Sequence, residues 1–362
     1  MNMQVRSNPK IKGGNAAIWL SIALFTVGCV GLGYYLFKNP PRQKAASTEK
    51  TPFITPITDT PTPTPFPFQE MTIPALREHE YKSKLGKLEM ISQNSNFTAY
   101  LTSYDSDGLK INAYLTMPKG EQPPEGWPAV VFVHGYIPPE EYSTTSDYIS
   151  YVNFLANRGL VVFKIDLRGH GKSEGEPLGA YYSEGYVVDT LNAYEALQNA
   201  EFVNNKRVGL WGHSMGGNIV FRSMVVNRNV PKTIIWSGAV YTYEDFQEYK
   251  VQDNSYQPPP EDSENVKRRE KLAETYGGFD TESNFWQQVV PTNYLEGVTG
   301  EIQLHHALDD TVVDVGYSRN LVNLLNEAGI KSSLYEYPSG GHNITGASFT
   351  QAMQRSSDFL NK

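Results

Sequence analysis

Gly212-His213-Ser214-Met215-Gly216-Gly217 sets a serine among glycines where an apolar run, 207–212, gives way to a helical pattern, 215–228. A strand–turn–helix of this kind forces the serine backbone into a tight bend and lifts its hydroxyl above the strand ends, beside a helix N-terminus. Negative charge that develops on a carbonyl oxygen during acyl transfer is favoured there. A serine hydroxyl is a weak nucleophile until a base takes its proton, so a histidine has to reach it from elsewhere in the chain. Of the seven histidines, His79 precedes the main strands, His134 precedes a glycine at a strand end, His170 lies in Arg168-Gly-His-Gly171, and His213 adjoins the serine. His305 and His306 lie within a strand pattern. His342, in Pro338-Ser-Gly-Gly-His-Asn343, is on a loop between the last strand pattern and the last helical one, from which an imidazole can swing over the serine. Asp309-Asp310, directly after the apolar run 301–307, supplies a carboxylate to orient it. The chemistry these types suit is acyl transfer through Ser, His and Asp, with no cofactor. A metal cluster of His305, His306, Asp309 and Asp310 is disfavoured, because neighbouring strand side chains point to opposite faces.

Those residues need a scaffold, and the rest of the pattern provides one. A hairpin is expected from 98–104 and 109–117, joined through Asp105-Ser-Asp-Gly108. Apolar runs of strand length follow at 128–135, 160–166, 207–212, 232–238, 301–307 and 332–338, with helical patterns at 146–158, 183–199, 215–228, 316–328 and 346–361. This alternation predicts an α/β protein with a mostly parallel central sheet covered by helices on both faces. Residues 241–300 break the rhythm with Gln257-Pro-Pro-Pro260 and a charged run from Lys267 to Lys271, and read as a small lid insertion. Its aromatics, Tyr241, Tyr243, Phe246, Tyr249, Phe285 and Trp286, suit a lid core more than a substrate wall. Glu244, Asp245 and Glu248 are the acids there that could hold an amino terminus.

The sequence from 98 to 362 resembles the α/β-hydrolase superfamily. Val133-His134-Gly135-Tyr136, Asp166-Leu-Arg-Gly-His-Gly171, the serine motif, Leu308-Asp309-Asp310-Thr311-Val312-Val313 and Gly341-His342 carry the likeness. Asn293-Tyr294-Leu295 and the Asp-Asp-Thr-Val loop look like prolyl oligopeptidase-like catalytic domains, while the Asp166 loop and Gly-His-Ser-Met-Gly-Gly are equally similar to small esterases and monoacylglycerol lipase-like enzymes. The resemblance implies an α/β-hydrolase fold over 71–362 and a triad of Ser214, Asp309 and His342, the first aspartate of the loop being the catalytic one. It also implies an oxyanion hole from the backbone N–H groups of Tyr136 and Met215. Asp166 and Arg168 are expected to form a salt-bridged structural loop. The expected activity is hydrolysis of carboxylic esters through an acyl-enzyme. A serine peptidase, aminopeptidase or oligopeptidase-like, with the same triad is the alternative, and a catalytically silent surface binding module is the third reading.

Composition agrees with a globular body: 40% of the 362 residues are apolar and 19% charged, and the lone Cys29 permits neither an intramolecular disulfide nor a thiolate metal site. Residues 1–50 carry seven basic side chains against Glu49, although the whole chain has a net charge of −8. An acidic body gives no footprint for a nucleic-acid backbone. Residues 1–15 read as a basic tail, 16–37 as an uncharged transmembrane helix with Trp19 and Tyr34-Tyr35 near its ends, and 38–70 as a Thr/Pro-rich spacer. A cleaved signal peptide is the rival for 16–37. The expectation is a single-pass protein of the cell membrane with its catalytic domain outside the cytoplasm, acting on small esters or short peptides.

Overall fold

Runs rich in Val, Ile and Phe with turn residues between them pair into a single nine-stranded sheet, in a computed structural model that describes residues 65–249 and 251–362. The basic tail, the expected span at 16–37 and most of the spacer lie outside the described residues. Chain entry is by a short helix, Ile73–Glu78 (α1), started by the Thr72 hydroxyl, which accepts from Ala75 N–H at 3.3 Å, and by Pro74 near its first turn. Glu89–Gln93 (β1), Phe97–Ser106 (β2) and Leu109–Pro118 (β3) make an antiparallel meander. Then Trp127–Val133 (β4), helix Ile149–Ala156 (α2), Val161–Ile165 (β5), helix Gly185–Gln198 (α3), Val203–His213 (β6), helix Met215–Val226 (α4) and Lys232–Trp236 (β7) alternate as strand and crossover. Three helices follow in the insertion, Tyr243–Tyr249 (α5), Glu264–Tyr276 (α6) and Asn284–Val289 (α7). Glu301–Ala307 (β8), Gly316–Glu327 (α8), Ser332–Tyr337 (β9) and Ala347–Asn361 (α9) complete the chain.

Strand order is β1-β2-β3-β5-β4-β6-β7-β8-β9. The meander joins β5 antiparallel, and from β5 to β9 every pairing is parallel. A strand buried on both faces alternates its side chains between two cores, and β4 does so. Val131 and Val133 pack with Val187 of α3, Ile219 of α4 and Leu321 of α8, whereas Val130 and Phe132 pack with Val152 of α2 and Met353 of α9. On the second face Phe132 stacks on Trp211 with ring centroids 4.0 Å apart. The parallel arrangement puts the C-terminal ends of β4, β6 and β8 along one edge, where the chemistry-bearing loops emerge.

A third core belongs to the insertion, where Tyr243, Leu272, Phe285 and Trp286 pack together with Phe68 and Met71. This corrects the expected spacer boundary. Phe66 meets Phe285 edge-on at 6.5 Å, Phe68 is buried beneath the Arg268 guanidinium, and Tyr276 donates to the Pro67 carbonyl at 2.8 Å. Residues 66–70 are therefore part of the body, because their aromatics have an apolar surface to bury. Among the described residues no helix is long and apolar enough to cross a membrane.

Candidate active site

Ser214 stands between β6 and α4 with φ 54° and ψ −119°, a conformation that a side chain rarely adopts. The turn is held by Ser214 N–H donating to Trp236 O at 2.8 Å and Gly217 N–H donating to Ser214 O at 2.8 Å. It can be this tight because of its glycines. A Cβ on Gly212 would stand 2.2 Å from Gly216 O, and one on Gly216 would stand 2.5 Å from Val133 O. Strand, nucleophile and helix thus pack with nothing between them.

His342 follows β9 and lies beside the same turn: its ring centroid is 4.6 Å from that of His213. Tyr151 OH anchors the loop by donating to Asn343 O at 2.7 Å. His342 Nδ1 is 2.8 Å from Oδ2 of Asp310, a side chain with no solvent exposure. With Nδ1–H committed to a carboxylate, Nε2 is the basic nitrogen. The Asp310 carboxylate also accepts from Val312 N–H at 2.8 Å, Val313 N–H at 3.0 Å and His306 Nε2 at 3.3 Å. Burial pushes its pKa up, but the hydrogen bonds from His306, His342 and Val313 outweigh that and hold it well below the usual carboxylate range.

The structure therefore places Asp310 on the imidazole, not Asp309. After β8 the chain makes a turn closed by Asp310 N–H to Ala307 O at 3.3 Å, with Leu308 and Asp309 at its exposed corners. Asp310 returns beneath the turn. Asp309 instead accepts from the N–H groups of Gly340 and Gly341, at 3.2 and 2.8 Å, and so fastens the loop that carries His342.

The backbone N–H groups of Tyr136 and Met215 have no protein acceptor among the described residues, and both residues line one cavity of about 510 Å³ with Ser214. Its other walls include Tyr181, Tyr182 and Tyr186, ahead of and within the first turn of α3, and Tyr256 from the insertion. The Tyr136 hydroxyl accepts from Gln257 N–H at 3.0 Å and donates to Gln257 O at 3.2 Å, which joins the loop after β4 to the insertion. Ser214, Tyr136 and Met215 thus line a chamber large enough for a small organic substrate, while the oriented His342 imidazole lies beside the serine turn.

The fold resembles acetyl xylan esterase 1 from Thermoanaerobacterium sp. JW/SL YS485, covering 83% of this chain and 95% of that one, with a TM-score of 0.55 and 21% identity. The family model for serine aminopeptidase, S33, matches residues 125–253, and that for the BAAT/acyl-CoA thioester hydrolase C-terminal domain matches residues 191–360. The chain belongs to the α/β-hydrolase superfamily. An acylaminoacyl peptidase of Pyrococcus horikoshii is similar in fold as well, with a TM-score of 0.57 and 20% identity over 74% of this chain and 42% of that one. By sequence, 2,6-dihydropseudooxynicotine hydrolase of Paenarthrobacter nicotinovorans is 26% identical over 228 residues, 61% of this chain and 56% of that protein. The chain thus spans just over half the length of that curated relative.

The remaining polar residues of this α/β-hydrolase have other partners. His305 meets Tyr337 OH and Gln303 on one face of β8, while His306 meets Ser318, Val313 O and Asp310 on the other. Arg168 pairs with Asp189, not with Asp166, which accepts from Tyr142 OH at 2.7 Å instead. Tyr243, Phe285 and Trp286 are buried in the insertion's own core, as expected, whereas Tyr241 is buried in the main core, and Phe246 and Tyr249 pack against that one. Glu244, Asp245 and Glu248 do not line the cavity, and Asp245 accepts from Asn320. The carboxylates that do line it are Glu140, Glu141 and Asp253. Sequence reasoning passed over Tyr181, Tyr182 and Tyr186, whose only signal is their density at the start of a helix.

Proposed function

We propose that this chain is a serine hydrolase that cleaves carboxylic esters through Ser214, His342 and Asp310. The observation that carries the reading is the His342–Asp310 contact of 2.8 Å beside the strained Ser214 turn. Ser214 Oγ attacks the ester carbonyl as His342 Nε2 takes its proton, and Asp310 steadies the imidazolium that forms. The carbonyl oxygen, now an anion, is received by the N–H groups of Tyr136 and Met215. Collapse expels the alcohol with the proton from His342, leaving an acyl-serine. Water then attacks that acyl carbon by the same route and releases the acid.

An esterase is favoured because the likeness to acetyl xylan esterase 1 takes in 95% of that enzyme's chain, and because an alkoxide is an easier leaving group than an amine. A peptidase is the second reading. Glu140, Glu141 and Asp253 at the cavity could receive a substrate amino group, and the S33 aminopeptidase model covers this part of the chain. Residues 16–37 are proposed to anchor the protein in the cell membrane with the hydrolase domain outside, on the strength of the sequence pattern.

The test is a fluorophosphonate probe followed by peptide mapping, then a panel of unactivated alkyl esters and dipeptides. Label on Ser214, with kcat/KM for the best ester more than about tenfold above that for the best dipeptide, supports the esterase. Efficient dipeptide cleavage with little ester turnover would exchange the two readings.

A further inference from the structure

Tyr148 and His213 are polar side chains packed against the site that the proposed reaction does not use, and their hydrogen bonds allow one arrangement of protons. Gly135 N–H donates to Tyr148 Oη at 2.9 Å, so the phenol oxygen accepts there. Its own proton then points to His213 Nδ1, 2.6 Å away. An Nδ1 that accepts leaves the ring proton on Nε2, which donates to the backbone carbonyl of His342 at 2.9 Å. Burial, with the neighbouring His342 next, pushes His213 down to about 3, so the ring keeps this neutral form. Burial also pushes the Tyr148 phenol up, so its proton stays in place.

The ends of this chain of bonds are informative. Gly135 precedes Tyr136, His213 precedes Ser214, and the last acceptor is the backbone of His342 itself. We infer that Tyr148 and His213 are positioning residues whose linked hydrogen bonds set the Tyr136 amide, Ser214 and His342 in register with one another. The inference rests on the reading that those three groups carry the reaction.

Local structure is shaped around the bridge. Tyr148 has φ 58°, a left-handed conformation that a bulky side chain adopts only when its surroundings impose it. Phe132 and Tyr151 hold the ring, with centroids 5.6 and 5.5 Å away. A Cβ on Gly135 would stand 2.7 Å from Tyr148 Oη and 3.0 Å from His213 Nδ1, so only glycine leaves room for the bridging oxygen.

Tyr148→Phe keeps the ring and removes the oxygen. Its kcat for the best ester is expected to fall by about tenfold or more with KM within about twofold, because the groups set by the bridge act mainly in the transition state. The fluorophosphonate labelling rate should fall with kcat. His213→Leu should lose a similar amount, and the double variant should be no worse than the poorer single one, as links of a single chain are not additive. A folded Tyr148→Phe with kcat within about twofold of the wild type, or strictly additive losses, overturns the inference. If Tyr148→Phe does not fold, His213→Gln, which keeps an acceptor and a donor, decides against His213→Leu: higher kcat for the glutamine supports the bridge and equal losses overturn it. A wild-type protein that takes no label at Ser214 removes the reaction itself and this inference with it, which sets that failure apart from an unaffected variant.

Discussion

Asp310 Oδ2 meets His342 Nδ1 at 2.8 Å and His306 Nε2 at 3.3 Å, so a single carboxylate oxygen joins the loop after β9 to the buried face of β8. His306 Nε2 faces this carboxylate and the Val313 carbonyl, both acceptors, and therefore carries a proton. The carboxylate is fixed from three sides before the imidazole arrives.

From this arrangement Asp310→Asn should lower kcat for a short ester by about 10⁴, since an amide facing Nδ1 favours the wrong tautomer. Asp309→Asn keeps an oxygen for the Gly340 and Gly341 amides and should cost about tenfold or less. Initial rates of the two variants on one ester decide the matter, and the reverse ranking would return the acid role to Asp309.

Ser214 offers a test that separates strain from chemistry. Its φ of 54° suits glycine better than any side chain. Ser214→Gly should be inactive yet more stable than Ser214→Ala by about 1 kcal/mol, read from urea midpoints. Equal stability of the two would mean that the turn stores little strain.

Acid should unfold this protein in a predictable window. Burial pushes His213 and His305 down to about 3, while an unfolded imidazole titrates near about 6.5. Between those values the unfolded chain binds protons that the folded one refuses, so stability falls as pH drops through the window. Burial pushes His134 and His170 down as well, so four such groups give a slope of up to about 5 kcal/mol per pH unit. The depressed Asp310 adds a further loss on the acid side, because its stabilising contribution is present above the unfolded carboxylate value and disappears as pH falls through the folded one. Urea unfolding from pH 7 to 4 should show this, and His305→Gln should remove about a quarter of the imidazole slope. A flat profile over that range would contradict it.

How far such features could be read in advance depended on whether local chemistry or packing decided them. β8 was legible residue for residue as Glu301–Ala307, because an apolar run bounded by turns has few other uses. The Ser214 turn was legible because Gly212 and Gly216 are required by contacts inside a single motif. Asp309 and Asp310 were not separable in this way. Either could accept from amides two or three residues on, and only the turn closed on Ala307 decides which one goes under. β1, Glu89–Gln93, escaped notice since all five residues are exposed and have no apolar face to alternate. Spacing pointed to His342, but the bridge through Tyr148 joins residues 65 positions apart and leaves no local signature.

The Thr/Pro pattern of the spacer suggests that protease added to intact cells will cut it and release an active hydrolase domain, as expected for an outward-facing domain tethered through residues 16–37. The structure limits where a harmless cut can fall. Phe68 is buried against Tyr243, Leu272, Phe285 and Trp286, and Phe66 packs on the same cluster. A chain starting at residue 65 should therefore keep its activity, whereas one starting at 71 loses both rings and exposes the insertion's core. Truncating a buried Phe costs about 3 kcal/mol, so Phe68→Ala in the full chain should lower the unfolding midpoint clearly. Because that core lies in the insertion that also supplies Tyr256 and Gln257 to the cavity, KM should rise before kcat falls. Release of active enzyme only after lysis would reverse the orientation, and full activity in the chain starting at 71 would show that Phe66 and Phe68 do not hold the lid.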